Sequence, residues 1–190
     1  MKNIKLIIEY NGTNYSGWQS QKNRTTIQNI IESCLSSLTK ESIKIYGSGR
    51  TDSGVHAYGQ VASFKSSSKI PPDKYSYALN QKLPDDIVIV KSELVPDDFH
   101  ARYSAIKKEY IYKIYNSVFP SAIHRNHIYR IRQQLDIDRM RNACRHFYGK
   151  HDFSSFMSTG SDVINTEREI FKSEIIKKDD IIKIVLREMN

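Results

Sequence analysis

Apolar side chains recur along this chain with two different spacings, and the spacing assigns most of its elements. In residues 3–10, Ile4, Leu6, Ile8 and Tyr10 fall on every second position and so share one side of a strand. Asn11-Gly12 punctuates that run. From Thr25 the period lengthens: Ile27, Ile30, Ile31, Cys34, Leu35 and Leu38 form one helical stripe, and Thr25 with Gln28 predicts a capping-box start. Short β-rich runs at 42–46 and 59–65 predict two strands, separated by a glycine-bearing segment at 47–54. Pro71-Pro72 opens a short helix with Tyr75, Ala78 and Leu79 on one side, and residues 86–95 read as a further strand.

The order β-α-β-β-α-β is that of a split βαβ unit, whose helices cover one face of an antiparallel sheet. After a connection at 96–105 the order begins again. Residues 109–115 alternate as a strand, and Asp136 caps a helix with the stripe Ile137, Met140, Cys144 and Phe147, ending at Gly149. Strands at 168–177 and 181–188 follow. The expected fold is therefore α+β, with two ferredoxin-like halves, 1–104 and 105–190, forming a largely antiparallel central sheet with helices on one face. The second half is short by one αβ pair relative to the first, which predicts an uncovered sheet face and an extra edge.

Composition narrows the function classes. The longest apolar runs, Leu6-Ile7-Ile8 and Ile87-Val88-Ile89-Val90, fall far short of the roughly 20 residues of a membrane span, and Glu9 and Asn11 interrupt the one candidate for a leader. The cytoplasm is the expected location. Cys34 and Cys144 lie 110 positions apart in no CxxC or CxxH pattern, so neither a disulfide framework nor a zinc site is expected. Lysine and arginine outnumber aspartate and glutamate 29 to 21, and the resulting charge of +8 favours a polyanionic partner such as nucleic acid or an anionic membrane surface. Twelve tyrosines add surfaces on which bases can stack, although tyrosine in ordinary strands within a basic proteome gives the same composition.

Candidate chemistry is densest in Gly47-Ser48-Gly49-Arg50-Thr51-Asp52-Ser53-Gly54-Val55-His56-Ala57. Glycines let a backbone approach a ligand closely, and Arg50 is suited either to forking onto a phosphate or to holding Asp52 ionised. The segment precedes a strand and lacks a Lys-Ser/Thr ending, so it is neither a Walker loop nor a dinucleotide fingerprint. A plainer reading stays open, in which Asp52 anchors a turn and Arg50 pairs with it.

The stretch from Arg50 to Ala57 closely resembles the RTDxGVHA signature of TruA-type tRNA pseudouridine synthases. Further segments resemble the same family in the same order, among them Gly17-Trp18-Gln19, Thr26-Ile27-Gln28, Gly59-Gln60-Val61, Phe99-His100-Ala101-Arg102-Tyr103-Ser104-Ala105, Tyr110-Ile111-Tyr112 and Gly149-Lys150-His151-Asp152-Phe153. The resemblance implies a cofactor-free isomerisation of uridine to pseudouridine at positions 38 to 40 of the tRNA anticodon arm, carried out by a homodimer. It implies that Asp52 is the essential carboxylate and that Arg50 contacts the flipped nucleotide's phosphate or fills the vacated stack. Tyr110 matches the tyrosine that stacks on the target uracil; by spacing alone, alternating with Tyr112 and Ile114, it is an ordinary strand residue. His56 is a structural or RNA-contact residue on this resemblance, and His100 and Arg102 belong to a segment that reaches RNA. Arg125, Arg130, Arg132, Arg139, Arg141 and Arg145 make up the strongest basic stretch, read as a tRNA-backbone surface with Arg141 and Arg145 among its RNA-binding residues, or else as a solvated face.

The family continues past the last predicted strand into a segment resembling FLxxMVR, whose arginine is expected to pair with the catalytic aspartate. Here the sequence ends at Arg187-Glu188-Met189-Asn190, and Arg187 does not align with that arginine. The expectation is a chain truncated at its C-terminus. A catalytically impaired RNA-binding protein is accordingly the alternative, and a hydrolase using Asp52 and His56 is a weaker third because no metal site or second acid stands at a recognisable spacing.

Overall fold

The computed structural model describes residues 1–157 and 165–189, and the chain divides into two compact units, Met1–Ala105 and Ile106–Asn190. The first unit follows the predicted order. Strand β1 (Lys2–Tyr10), helix α1 (Ile27–Thr39), β2 (Tyr46–Gly47), β3 (Ala57–Ser66), α2 (Tyr75–Asn80) and β4 (Ile87–Val95) build an antiparallel sheet in the order β2-β3-β1-β4. Pairing of Ile4 with Phe64 and of Leu6 with Ala62 and Ser92 puts these side chains on one face. That face meets the buried stripe Ile27, Ile31 and Leu35 of α1 and Tyr75 and Leu79 of α2, and Ser92 Oγ accepts a hydrogen bond from the Ser76 amide at 2.9 Å. Burial of this apolar surface is the chief term favouring the unit.

Two local expectations change. Helix α1 is capped by Thr26, whose hydroxyl accepts from the Asn29 amide at 3.3 Å, and not by Thr25. Gln28 accordingly does not reach back as a capping box; its Oε1 accepts from the Ser20 amide and its Nε2 donates to Glu32. Residues 42–45 place Ile43 and Ile45 in the core, as their alternation predicts, but do not form a strand. Their backbone is taken by α1 side chains: Ile45 donates to Glu32 at 2.9 Å and accepts from Gln28, and Ile43 donates to Ser36. With those groups occupied, only Tyr46 and Gly47 pair with β3.

The second unit contains β5 (Lys107–Asn116), β6 (Tyr129–Ile131), α3 (Ile137–Arg145), β7 (Gly149–Asp152), β8 (Glu167–Lys178) and β9 (Ile181–Met189), in the sheet order β6-β5-β9-β8-β7. All pairs are antiparallel except β5 with β6. The expected β-α-β-β is present, with two short strands added. Asn116 fixes β6 by donating to the carbonyls of Ile131 and Gln133. Asp136 caps α3 as expected, accepting from the Arg139 amide at 3.0 Å. The helix ends at Arg145, so Phe147 lies beyond it, and Gly149, at φ +102, opens β7 instead of closing the helix. Among the described residues no helix is long and apolar enough to cross a membrane.

Candidate active site

The loop between β2 and β3 is fixed by hydrogen bonds of its backbone and of its serine and threonine hydroxyls. Ser48 donates its amide to Val61 and its hydroxyl to Gln60, whose Nε2 donates in turn to the Gly49 carbonyl at 2.6 Å. Thr51 is held on two sides: its carbonyl accepts from the Trp18 amide at 3.0 Å, and its hydroxyl lies 2.8 Å from the Tyr10 hydroxyl. Beyond Asp52, the Tyr15 carbonyl accepts from the Ser53 hydroxyl and the Gly54 amide, while the Val55 amide closes a turn onto the Asp52 carbonyl at 3.2 Å. Tyr15 itself is anchored by its hydroxyl donating to Asp86, and burial together with that carboxylate pushes its phenol well above the ordinary range.

Two glycines on a neighbouring segment let the loop approach this closely. A Cβ on Gly12 would lie 2.0 Å from the Val55 carbonyl oxygen, and one on Gly17, already at φ +84, would lie 2.4 Å from that of Thr51. The Gly12 amide also donates to His56 Nδ1 at 3.1 Å. That bond gives the motif histidine a part in holding the loop.

Within this frame the carboxylate of Asp52 is left open. It is exposed, and among the described residues it accepts no hydrogen bond and forms no ion pair. The plainer expectation that Arg50 pairs with Asp52 is not met, since the two form no salt bridge. Both instead line a cavity of about 520 Å³ together with Ser16, Gln19, Gln21, Arg24, Thr51 and Ser53. Arg24 and Arg50 are exposed and have no ion-pair partner among the described residues. The cavity wall therefore carries two guanidinium groups for one carboxylate, a net positive charge suited to an anionic group such as a phosphate.

Sequence reasoning missed Arg24, Gln19 and Gln21. They reach the motif loop because the Trp18 amide bonds to Thr51 while the Gly17 and Trp18 carbonyls receive the Ile27 and Gln28 amides of α1. No spacing rule reports such a long-range arrangement.

The other candidates lie elsewhere. Tyr110, on β5 of the second unit, is 53% exposed and donates its hydroxyl to Glu188 at 3.2 Å. Partial desolvation and then the Glu188 carboxylate push its phenol up to about 12. His100 and Arg102 belong to the segment following β4, on the first unit. Arg141, on α3, pairs with Asp138 at 3.1 Å, whereas Arg145 is exposed in the last turn without an ion-pair partner among the described residues. Of the same basic stretch, Arg139 pairs with Asp136 and Arg130 bonds the carbonyls of Ser117 and Val118. Among the described residues no group of three His, Cys, Asp or Glu side chains is placed to hold a metal ion.

Comparison with known proteins bears on the whole length of the chain. A family model described as tRNA pseudouridine synthase matches residues 6–104. Proteins named tRNA pseudouridine synthase A from Ruminiclostridium cellulolyticum and Acetivibrio thermocellus are 54% and 52% identical over 185 and 183 residues, covering 97% and 96% of this chain and 76% and 75% of their own lengths. One from Caldicellulosiruptor saccharolyticus is 48% identical over 186 residues, 98% of this chain and 76% of its own. The open aspartate, the loop that holds it and these matches together identify the chain as a member of the tRNA pseudouridine synthase family.

Proposed function

We propose that this chain isomerises uridine to pseudouridine at positions 38 to 40 of the tRNA anticodon arm, with Asp52 as the catalytic carboxylate. The observation that carries the proposal is the unpaired Asp52 carboxylate, held by a hydrogen-bonded loop in a cavity that also contains Arg24 and Arg50.

The reaction breaks the C1′–N1 bond, turns the uracil, joins C5 to C1′ and transfers hydrogen from C5 to solvent while N1 takes up a proton, so composition is unchanged. Bond cleavage builds positive charge at the sugar. A carboxylate without an ion-pair partner stabilises that charge, bonds to C1′ or removes the 2′ proton, and Asp52 serves each route. A paired base must first leave its stack. Arg50 and Arg24 fit the phosphates of the flipped nucleotide, with Arg50 also suited to the vacated position. Tyr110, kept protonated at neutral pH, offers a ring on which uracil stacks. The segment holding His100 and Arg102 and the α3 arginines Arg141 and Arg145 supply further RNA contacts. The protein acts as a cytoplasmic homodimer on this reading.

The test uses tRNA transcripts tritiated at C5 of uridine. Release of tritium from a transcript with uridine at 38 to 40, and none from one with cytidine there, supports the proposal. Tight binding without release would favour the impaired RNA-binding protein instead.

A further inference from the structure

The face of the first unit's sheet opposite α1 and α2 carries a second group of side chains suited to RNA. Asn3, Lys5, Tyr46 and Ser63 share this face by strand register. Segment 96–105 is fastened across it. Asn3 Nδ2 donates to the carbonyls of Pro96 and Phe99 at 2.8 and 2.9 Å, and the buried Ala101 amide donates to Ser63 Oγ at 3.1 Å. A turn is closed by the Ser104 amide donating to the His100 carbonyl at 2.8 Å and by the His100 amide donating to Ser104 Oγ.

The turn displays a continuous run of rings. The Tyr46 and His100 centroids lie 5.0 Å apart, and those of His100 and Tyr103 lie 4.5 Å apart. The Arg102 amide donates to His100 Nδ1 at 3.2 Å, which fixes the imidazole and leaves Nε2 to carry the proton of the neutral ring. Arg102 places its guanidinium 5.9 Å from the Tyr103 ring, and the Lys5 ammonium lies 5.8 Å from that of Phe99. Tyr46 is 51% exposed and Tyr103 77% exposed. Rings serving the core would be covered; these are held rigidly by hydrogen bonds beneath them and left open above.

Glu93, opposite Lys5 in the strand register, is engaged by Lys5 and Lys91 at 2.5 Å each, and Arg102 forms no ion pair among the described residues. Exposed aromatic rings beside an unpaired guanidinium match the way single-stranded nucleic acid is held, with bases on rings and cations on phosphates. None of these residues lines the Asp52 cavity.

We infer that Tyr46, His100 and Tyr103, with Arg102, form a stacking platform for unpaired nucleobases of the RNA substrate, outside the catalytic cavity. The inference rests on the proposed action on tRNA and adds to it a site that reads no particular base, because every base offers a flat face.

The probe is a short single-stranded oligoribonucleotide carrying 2-aminopurine, compared with the same strand carrying an abasic nucleotide at that position. The wild-type protein should quench the 2-aminopurine fluorescence and prefer the base-bearing strand. Tyr103→Ala should weaken binding of that strand about 5- to 150-fold and erase the preference, whereas Tyr103→Phe should bind within about twofold of wild type. Both should melt like wild type, since the ring is mostly exposed. If Tyr103→Ala and Tyr46→Ala bind as tightly as wild type, or lose affinity equally for both strands, the platform is refuted. Tritium release from C5-labelled tRNA, measured on the same proteins, separates this from the catalytic reading. Turnover with no base preference refutes the platform alone; base stacking without turnover leaves the platform standing and removes the catalytic assignment.

Discussion

Replacing Gly12 by alanine adds one methyl group to a residue that is distant in sequence from Asp52 and should disable it. The new Cβ would lie 2.0 Å from the Val55 carbonyl oxygen and 2.7 Å from its carbon, where ordinary contact starts at 3.4 Å. The two backbones must therefore separate by about 1.4 Å. Neither atom is the end of a flexible side chain, so the strain cannot be relieved by a rotamer change. Val55 is tied to Asp52 by the hydrogen bond that closes their turn, and the Gly12 amide holds His56, so displacing this contact moves the carboxylate and loosens the loop's second anchor together. Misplacing a catalytic group by about 1 Å costs on the order of 100-fold in rate, and overpacking of this kind costs about 1–3 kcal/mol of stability. Joining C5 to C1′ expels the C5 hydrogen, so tritium release measures the rate while thermal melting follows the fold. Gly12→Ala should retain a cooperative melt and lose about 100-fold in kcat/KM. Gly59→Ala, whose Cβ meets no heavy atom within 4 Å, is the matched control and should change neither quantity. Turnover by Gly12→Ala close to wild type would refute the claim that this close approach positions Asp52.

Two further predictions concern charge. Arg24→Gln and Arg50→Gln should each flatten the slope of log tRNA affinity against log salt by about one, as should Arg145→Gln, whereas Arg141→Gln should change it little because Arg141 is already paired with Asp138. Unchanged slopes for Arg24 and Arg50 would remove them from the phosphate-binding role. Tyr110 should ionise near pH 12, as followed by the NMR shift of its own ring carbons, against 10.0 for an unperturbed phenol. Because the folded value is the higher one, its contribution to stability is complete below pH 10 and lost as pH rises toward 12. Glu188→Gln should bring the midpoint part of the way down, since burial is the larger cause, and a wild-type midpoint at 10 would refute this environment.

The helices and long strands were legible because each has one face that must be buried. Leu6 alternating with Ile4 and Ile8, and Ile31 with Ile27 and Leu35, are read directly as sheet face and helix stripe. What escaped was decided by single hydrogen bonds. Residues 42–45 have a strand's pattern, yet Glu32, Ser36 and Gln28 claim their backbone. Either Thr25 or Thr26 could cap α1, and it is the buried Thr26 whose hydroxyl takes the Asn29 amide. The strand at Tyr129–Ile131 is too short to carry a period. In the candidate site, the motif loop stood out by its glycines and charges, so Asp52 and Arg50 were both visible. Arg24 was not, because the backbone bonds joining Gly17 and Trp18 to the loop and to α1 link positions far apart in sequence.

The most direct measurement of the central claim is pseudouridine formation by Asp52→Asn, paired with its affinity for the same tRNA. The substitution keeps the volume of the side chain and removes the charge proposed to stabilise the sugar as the C1′–N1 bond breaks, and it disturbs no hydrogen bond of the loop, because only the backbone of Asp52 takes part in holding it. The account predicts that pseudouridine formation disappears while tRNA affinity stays within about twofold of wild type. Isomerisation by the Asp52→Asn protein at a rate near that of wild type would contradict it.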